Sequence, residues 1–104
     1  MLNTKITFYI GLTTRDGQAL CQDGVIQAVI VPTLADFSID GFTVTEGVGY
    51  WKGVAEACLV VTVFSECPVL VGFASQLARL FAIDCSQECV LFNIEPAQAD
   101  FAYA

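Results

Sequence analysis

Alternating apolar and polar residues near the start of the chain predict a first β-strand over residues 5–12. Ile6, Phe8, Ile10 and Leu12 occupy every second position, and smaller or more polar residues lie between them. This period of two is typical of a strand that buries one face.

A helical pattern follows a predicted turn at residues 13–17. The apolar positions recur at three- and four-residue intervals: Val25, Ile26, Val29, Ile30, Leu34 and Phe37. Pro32 lies within this pattern. Because proline lacks an amide donor and clashes with the preceding turn, the first helix is expected either to end before Thr33 or to kink there.

The remainder of the chain predicts two strands, a second helix and a last strand. Residues 42–45 and 57–64 have strand character, and the second of these is the most apolar segment of the chain. Pro68 suits the first position of a helix, and an apolar stripe continues from it to about Asp84. A last strand is expected over residues 89–94, ended by Pro96.

The element order is therefore β-α-β-β-α-β within one domain, residues 1–104. This order predicts an α+β, ferredoxin-like fold, in which two helices cover one face of a four-stranded antiparallel sheet. The strand at residues 57–64 is apolar on both faces, however, and the helices can cover only one. We therefore expect a second copy of the chain to cover the other face, in a dimer or a cyclic trimer.

Composition and charge limit the partners. Hydrophobic residues make up 56% of the chain, above the roughly 45–50% of globular proteins, which also favours burial between subunits. A net charge of −7 argues against nucleic-acid binding, and mimicry of DNA by the acidic surface is a weaker alternative. The apolar run at residues 59–64 is too short to span a membrane, and no signal-peptide pattern is present, so we expect a soluble, cytoplasmic protein.

Cysteine usage gives no metal motif. The five cysteines form no CxxC pair, and the chain contains no histidine, so neither a zinc site nor another cofactor is expected. Buried, reduced thiols are the simpler interpretation. Cys67, just before Pro68, lies where a helix dipole could lower a thiol pKa, but no base partner accompanies it.

The segment TVTEGVGYWKGVAE, residues 43–56, contains most of the candidate chemistry. Its three glycines predict bulges and close backbone approach rather than a regular strand. One interpretation is a twisted hairpin whose aromatic residues pack on a neighbouring subunit and whose Glu56 pairs with Lys52. The other is a ligand pocket with an aromatic wall and a carboxylate for a cation. The candidate residues are Glu46, Gly49, Tyr50, Trp51 and Glu56.

Several of these features resemble the phage-encoded S-adenosylmethionine (SAM) lyases, formerly called hydrolases. They are the element order, a tyrosine in a glycine-flanked turn (Tyr50), a glutamate that opens the third strand (Glu56), and the helix-to-strand segment at residues 77–91. The resemblance implies a PII-like homotrimer with an anti-restriction role that binds SAM between subunits and releases methylthioadenosine and homoserine lactone. It also implies that Tyr50 and Glu56 are catalytic. Glu46, Gly49 and Trp51 are then candidates for substrate binding.

The same layout resembles the PII-like trimeric nucleotide-binding proteins, so a sensor without catalysis is the alternative. Such a sensor needs cations for nucleotide phosphates. The chain has only four, at Lys5, Arg15, Lys52 and Arg79. This scarcity favours an adenosyl ligand without phosphates.

Overall fold

The structure, a computed structural model, describes residues 1–66 and 68–104, and it describes Pro68 and Val69 only as part of a helix. The expectation for the Cys67 thiol therefore lies outside the described residues. The elements in chain order are strand β1 (Leu2–Gly11), helix α1 (22–36), strand β2 (Thr43–Trp51), strand β3 (Val54–Ser65), helix α2 (Pro68–Asp84) and strand β4 (Leu91–Ala99). This order confirms the one predicted from the sequence.

The four strands form one antiparallel sheet in the order β2-β3-β1-β4, and both helices cover the same face. Ile6, Phe8 and Ile10 of β1 point to the covered face, and the Phe8 ring meets that of Phe81 from α2 edge-on at 5.3 Å between centroids. An edge-on pair adds about 0.5–1.5 kcal/mol to the free energy gained from burial alone. The α+β, ferredoxin-like prediction is confirmed.

Helix α1 passes through Pro32 instead of ending there. It consists of an α-helical turn (Gln22–Val25), a π-helical stretch (Ile26–Ile30) and a second α-helical segment (Val31–Asp36). The Val31 amide donates to the carbonyl of Ile26, five residues back. This wider turn directly precedes the proline, where a regular turn would bring the ring against the carbonyl four residues earlier.

Strands β2 and β3 form a regular hairpin, so the expectation of an irregular segment at residues 46–53 was wrong. The register is continuous from Thr43 opposite Thr62 to Trp51 opposite Val54. Lys52 and Gly53 form the two-residue turn, with φ angles of 50° and 80°. Positive φ at both turn residues is the geometry whose twist matches the flanking strands. Glycines within β2 are accommodated because it is an edge strand.

Strand β4 also differs from its prediction. It begins at Leu91 rather than Cys89 and continues through Pro96 to Ala99. Pro96 lies opposite Thr4, and the register of the β1–β4 pair shifts between Thr4 and Leu2. Proline is tolerated here because β4 is an edge strand and one side of its backbone needs no partner strand.

The sheet face opposite the helices is called the open face below; its central residues are Thr7 and Tyr9 of β1 and Val60 and Thr62 of β3. Leu59, Val61 and Val63 are buried on the helix side, as predicted. On the open face Val60 and Thr62 are half-buried, and Phe64 is 42% exposed. Cover by a second copy therefore remains a prediction.

None of the helices in the described part of the chain has the length and hydrophobicity needed to span a membrane.

The hairpin turn gives a direct test of the fold. Gly53→Ala should lower the free energy of unfolding by about 1–2 kcal/mol, because an L-residue is strained at a φ of 80°. Gly41→Ala is the matched control, since a methyl group has open space at both positions but Gly41 lacks a positive φ. Urea titration followed by circular dichroism compares the two. Equal stability of both variants would contradict the turn geometry.

Candidate functional site

The hairpin register divides the five predicted site residues between the two faces of the sheet. Glu56 lies opposite Gly49, and Trp51 lies opposite Val54, so all three predicted residues of this set face the open side. Tyr50 lies opposite Ala55 and points to the helix side, as does Glu46. One chain therefore does not bring Tyr50 and Glu56 together.

Three glycines lie beside Glu56 and Cys58 of β3 on the open face. Gly11 of β1 and Gly47 of β2 lie opposite Cys58, and Gly49 of β2 lies opposite Glu56. The side chains of Glu56 and Cys58 thus have no side-chain neighbour directly across either strand pair. This glycine floor, defined by Gly11, Gly47 and Gly49, has no side chains of its own, and the ends of the Glu56 and Gln87 side chains lie over Gly11.

The Glu56 carboxylate leans from β3 over Gly11. A methyl group on Gly11 would stand 2.5 Å from Glu56 Oε1 and 2.6 Å from Gln87 Oε1. Within the described chain, the half-buried Glu56 side chain has no hydrogen bond or ion pair. In the twisted-hairpin interpretation, Lys52 was the expected partner of Glu56. Its Nζ atom instead lies 5.8 Å from the centroid of the Trp51 ring. The carboxylate is therefore available to a ligand.

Gln87 is a site residue that the sequence analysis missed. Its side-chain nitrogen donates to the backbone carbonyls of Thr13 (2.7 Å) and Cys85 (3.3 Å), and its backbone carbonyl accepts a hydrogen bond from the Arg15 guanidinium (3.1 Å). These bonds fasten the segment after α2 to the end of β1. A glutamine just beyond a helix end is the only sequence signal, and two of its three partners, Thr13 and Arg15, are about 70 residues away along the chain.

Glu46 belongs to a different surface, on the helix side of the hairpin. Its carboxylate accepts a hydrogen bond from Gln22 Nε2 at 2.6 Å, which ties β2 to the start of α1. Both residues line a shallow groove of about 290 Å³ beside Val48. Tyr50 lies beyond this groove and is 75% exposed.

A larger cleft, of about 720 Å³, lies at the far end of the sheet between residues 36–41 and 63–66. Its rim includes Asp36, Asp40 and Glu66, but none of the predicted site residues lines it. The glycine floor is the better candidate site because its chemistry, rather than its size, distinguishes it: the unpartnered Glu56 carboxylate and the oriented Gln87 amide meet over Gly11.

The cysteines are less buried than expected. Of the four in the described chain, all reduced, only Cys85 is buried; Cys58 is half-buried, and Cys21 and Cys89 are exposed. Burial raises the pKa of the Cys58 thiol, and the negative charge of Glu56 raises that pKa further. Burial and the neighbouring Asp84 raise the pKa of Cys85 in the same way. Neither environment favours a nucleophilic thiolate.

Comparison with solved structures finds three that are similar in fold to this chain. A phage SAM lyase in complex with S-methyl-5′-thioadenosine superposes with a TM-score of 0.68 at 17% identity, over 90% of this chain and 81% of the lyase. The apo form of a phage SAM lyase gives a TM-score of 0.69 at 18% identity, over 91% and 81%. A DUF3240 family protein from Shewanella baltica superposes with a TM-score of 0.61 at 15% identity, over 100% of this chain and 100% of that protein.

No protein-family model and no curated protein matches the sequence. At 15–18% identity the structural likeness is one of fold.

The closeness of Glu56 to Cys58 predicts a change in thiol reactivity. In Glu56→Gln, alkylation of Cys58 by iodoacetamide at pH 8 should be about twofold faster or more, because loss of the negative charge lowers the thiol pKa and raises the thiolate fraction. Mass spectrometry of the Cys58 peptide over time measures the rate. Glu66→Gln removes a charge at the far end of β3 and should leave the rate unchanged. An unchanged rate in Glu56→Gln would mean that its carboxylate lies elsewhere.

Proposed function

We propose that this protein is an enzyme, a SAM lyase that converts SAM to 5′-methylthioadenosine and L-homoserine lactone. The observation that carries the proposal is the half-buried, unpartnered Glu56 carboxylate above a glycine floor, in a fold similar to that of a phage SAM lyase. The proposal includes action in the cytoplasm, where the protein would meet its soluble substrate. It also includes an anti-restriction role, because the reaction removes a methyl donor.

The reaction needs no protein nucleophile. The substrate's own carboxylate attacks its γ-carbon, the carbon–sulfur bond breaks, and the positive sulfonium leaves as a neutral thioether. The new carbon–oxygen bond closes the lactone, and no proton is transferred. This chemistry suits a chain without histidine, in which the two thiols whose pKa is raised are poor nucleophiles.

The protein's contribution is to hold the substrate in the conformation that reacts. Well-oriented intramolecular reactions gain about 7–11 kcal/mol from positioning. In the proposed complex, Glu56 binds the substrate ammonium and thereby fixes the position of the attacking carboxylate. A carboxylate without an internal partner is suited to this task because binding the substrate breaks no existing ion pair.

The glycine floor accommodates the adenosyl group. Gly47 and Gly49 present backbone rather than side chains on the open face, and Trp51 stands on the same face at the hairpin tip. The Trp51 ring is 59% exposed, so it is available to stack on adenine or to face the sulfonium. A cation above a tryptophan ring contributes about 0.5–2 kcal/mol.

We propose that Tyr50 reaches this site from a neighbouring subunit of a homotrimer. Tyr50 and Glu56 lie on opposite faces of one hairpin, so the pair requires two chains. Exposed apolar side chains on the open face support association: Phe64 is 42% exposed and Leu91 67%. An active site between subunits would explain why Tyr50 and Glu56 do not meet within one chain.

The distribution of cations argues against a sensor for phosphate-bearing nucleotides. Lys5 pairs with Glu95 at 3.7 Å, Arg15 binds the Gln87 carbonyl, and Lys52 lies beside Trp51. Arg15 and Lys52 thus contact different residues of the candidate site, and the fourth cation, Arg79, lies on α2. Single cations at separate residues, together with the Glu56 carboxylate, fit a phosphate-free adenosyl ligand better than ATP.

Replacement of Glu56 tests the catalytic proposal. The purified wild-type protein should convert SAM to the two products, and Glu56→Gln should lower kcat/KM by about ten- to a hundredfold, because a charge-assisted bond to the ammonium is lost. Chromatographic separation of methylthioadenosine from SAM measures turnover. Lys52→Ala is the control and should retain near-normal activity, since Lys52 makes no ion pair with Glu56.

Two outcomes would contradict the proposal. Equal loss of activity in Lys52→Ala and Glu56→Gln would indicate that the hairpin tip acts only structurally. Intact SAM after prolonged incubation with the wild-type protein would exclude the lyase, and retained binding would then favour the sensor.

Mixed oligomers test the location of the site. Tyr50→Phe and Glu56→Gln, each poorly active alone, should regain about a third of wild-type activity when they are co-expressed with different tags and the trimers that carry both tags are purified, since one of the three sites in every mixed trimer combines two intact residues. Light scattering establishes the number of subunits. No recovery in verified mixed oligomers would show that both residues act within one chain.

A further inference from the structure

The orientation of the Gln87 side chain is fixed by its surroundings. The residue is only 7% exposed, and its nitrogen donates to two backbone carbonyls, those of Thr13 and Cys85. Carbonyl oxygens only accept hydrogen bonds, so the amide nitrogen must face them and the amide oxygen must point away. Gln87 therefore presents an acceptor, and not a donor, over Gly11.

A second acceptor meets it at the same place. The Oε1 atoms of Gln87 and Glu56 both lie within 2.6 Å of the point where a Cβ would stand on Gly11. Neither oxygen accepts a hydrogen bond from a described side chain or amide. Two acceptors that converge without a donor repel each other, so this arrangement is suited to a ligand that brings N–H groups.

We infer that Glu56 and Gln87 together form the binding point for a primary ammonium group, and that glycine is required at position 11 because a larger residue would occupy the place of the two oxygens. The inference rests on the proposed function for the identity of the ligand and adds two residues to it. The carboxylate supplies charge, and the oriented amide oxygen supplies direction, so an ammonium can donate to both at once.

Other ligands fit this point less well. An anion would be repelled by the carboxylate. A divalent metal ion prefers six or more oxygen ligands with several carboxylates, whereas no group of three potential metal-binding side chains occurs in the described chain. An ammonium, with three donors, matches two acceptors and leaves one donor for water or for the neighbouring subunit.

Gly11→Ala is the sharpest test, because the backbone at Gly11 has no positive φ and two of the three clashing atoms belong to the end of the Glu56 side chain, which no hydrogen bond within the described chain holds in place. The variant should fold, while its methyl group forces Glu56 and Gln87 apart. Isothermal titration compares two unreactive probes, S-adenosylhomocysteine and its analogue with hydrogen in place of the amino group. Gly11→Ala should weaken the binding of S-adenosylhomocysteine about ten- to a hundredfold and the binding of the deaminated analogue less than about twofold.

Further variants separate ligand contact from structural support. Gln87→Met removes the acceptor and should show the same selectivity for the ammonium-bearing probe, although it also loses the bonds to Thr13 and Cys85. Gly72→Ala adds a methyl group in open space on α2 and is the control that should bind both probes normally.

Equal weakening of both probes in Gly11→Ala would assign the residue a structural role and overturn the inference. Equal or undetectable binding of both probes by the wild-type protein would overturn it as well, because water would then satisfy the two oxygens. These binding results are independent of catalysis. If the wild-type protein binds the ammonium-bearing probe selectively but leaves SAM intact, the lyase proposal fails and the ammonium-binding point stands. If the protein converts SAM but does not prefer the ammonium-bearing probe, the lyase proposal stands and the ammonium-binding point fails.

Discussion

The register of the β2–β3 hairpin is the constraint on which the candidate site depends. The turn at Lys52 and Gly53 sets this register, and because side chains alternate along a strand, a slip of one residue would exchange the two faces. With the observed register, Glu56 and Trp51 share the open face, and Tyr50 lies on the other. The same geometry that keeps Tyr50 from Glu56 within one chain makes a second chain necessary for the proposed active site.

The glycines have two separate physical roles along this surface. Gly53 provides a backbone angle that the turn needs, whereas Gly11 leaves room for the Glu56 carboxylate and the Gln87 amide. In the proposed complex, the ligand supplies the donors that the Glu56 carboxylate lacks within the described chain.

One-sided cover of the sheet links the fold to assembly. The helices bury Leu59, Val61 and Val63 but leave the other face of β3 with Val60 and Phe64 only partly covered. Removal of that apolar surface from water contributes roughly 25 cal/mol per Å², which would favour the proposed association of copies through this face. Association and completion of the site are therefore expected to occur together.

Hydrophobic periodicity by itself determined the order of the elements and the extent of α2, because burial imposes a period of two on strands and near 3.6 on helices. The expectation that glycine and proline would interrupt the strands was wrong in β2 and at Pro96, because both residues lie in edge strands. Sequence resemblance also identified Glu56 as a candidate. Only the tertiary structure decided that Tyr50 faces away from Glu56 and that Gln87 meets it over Gly11, because strand register and contacts between distant segments join residues that no local pattern relates.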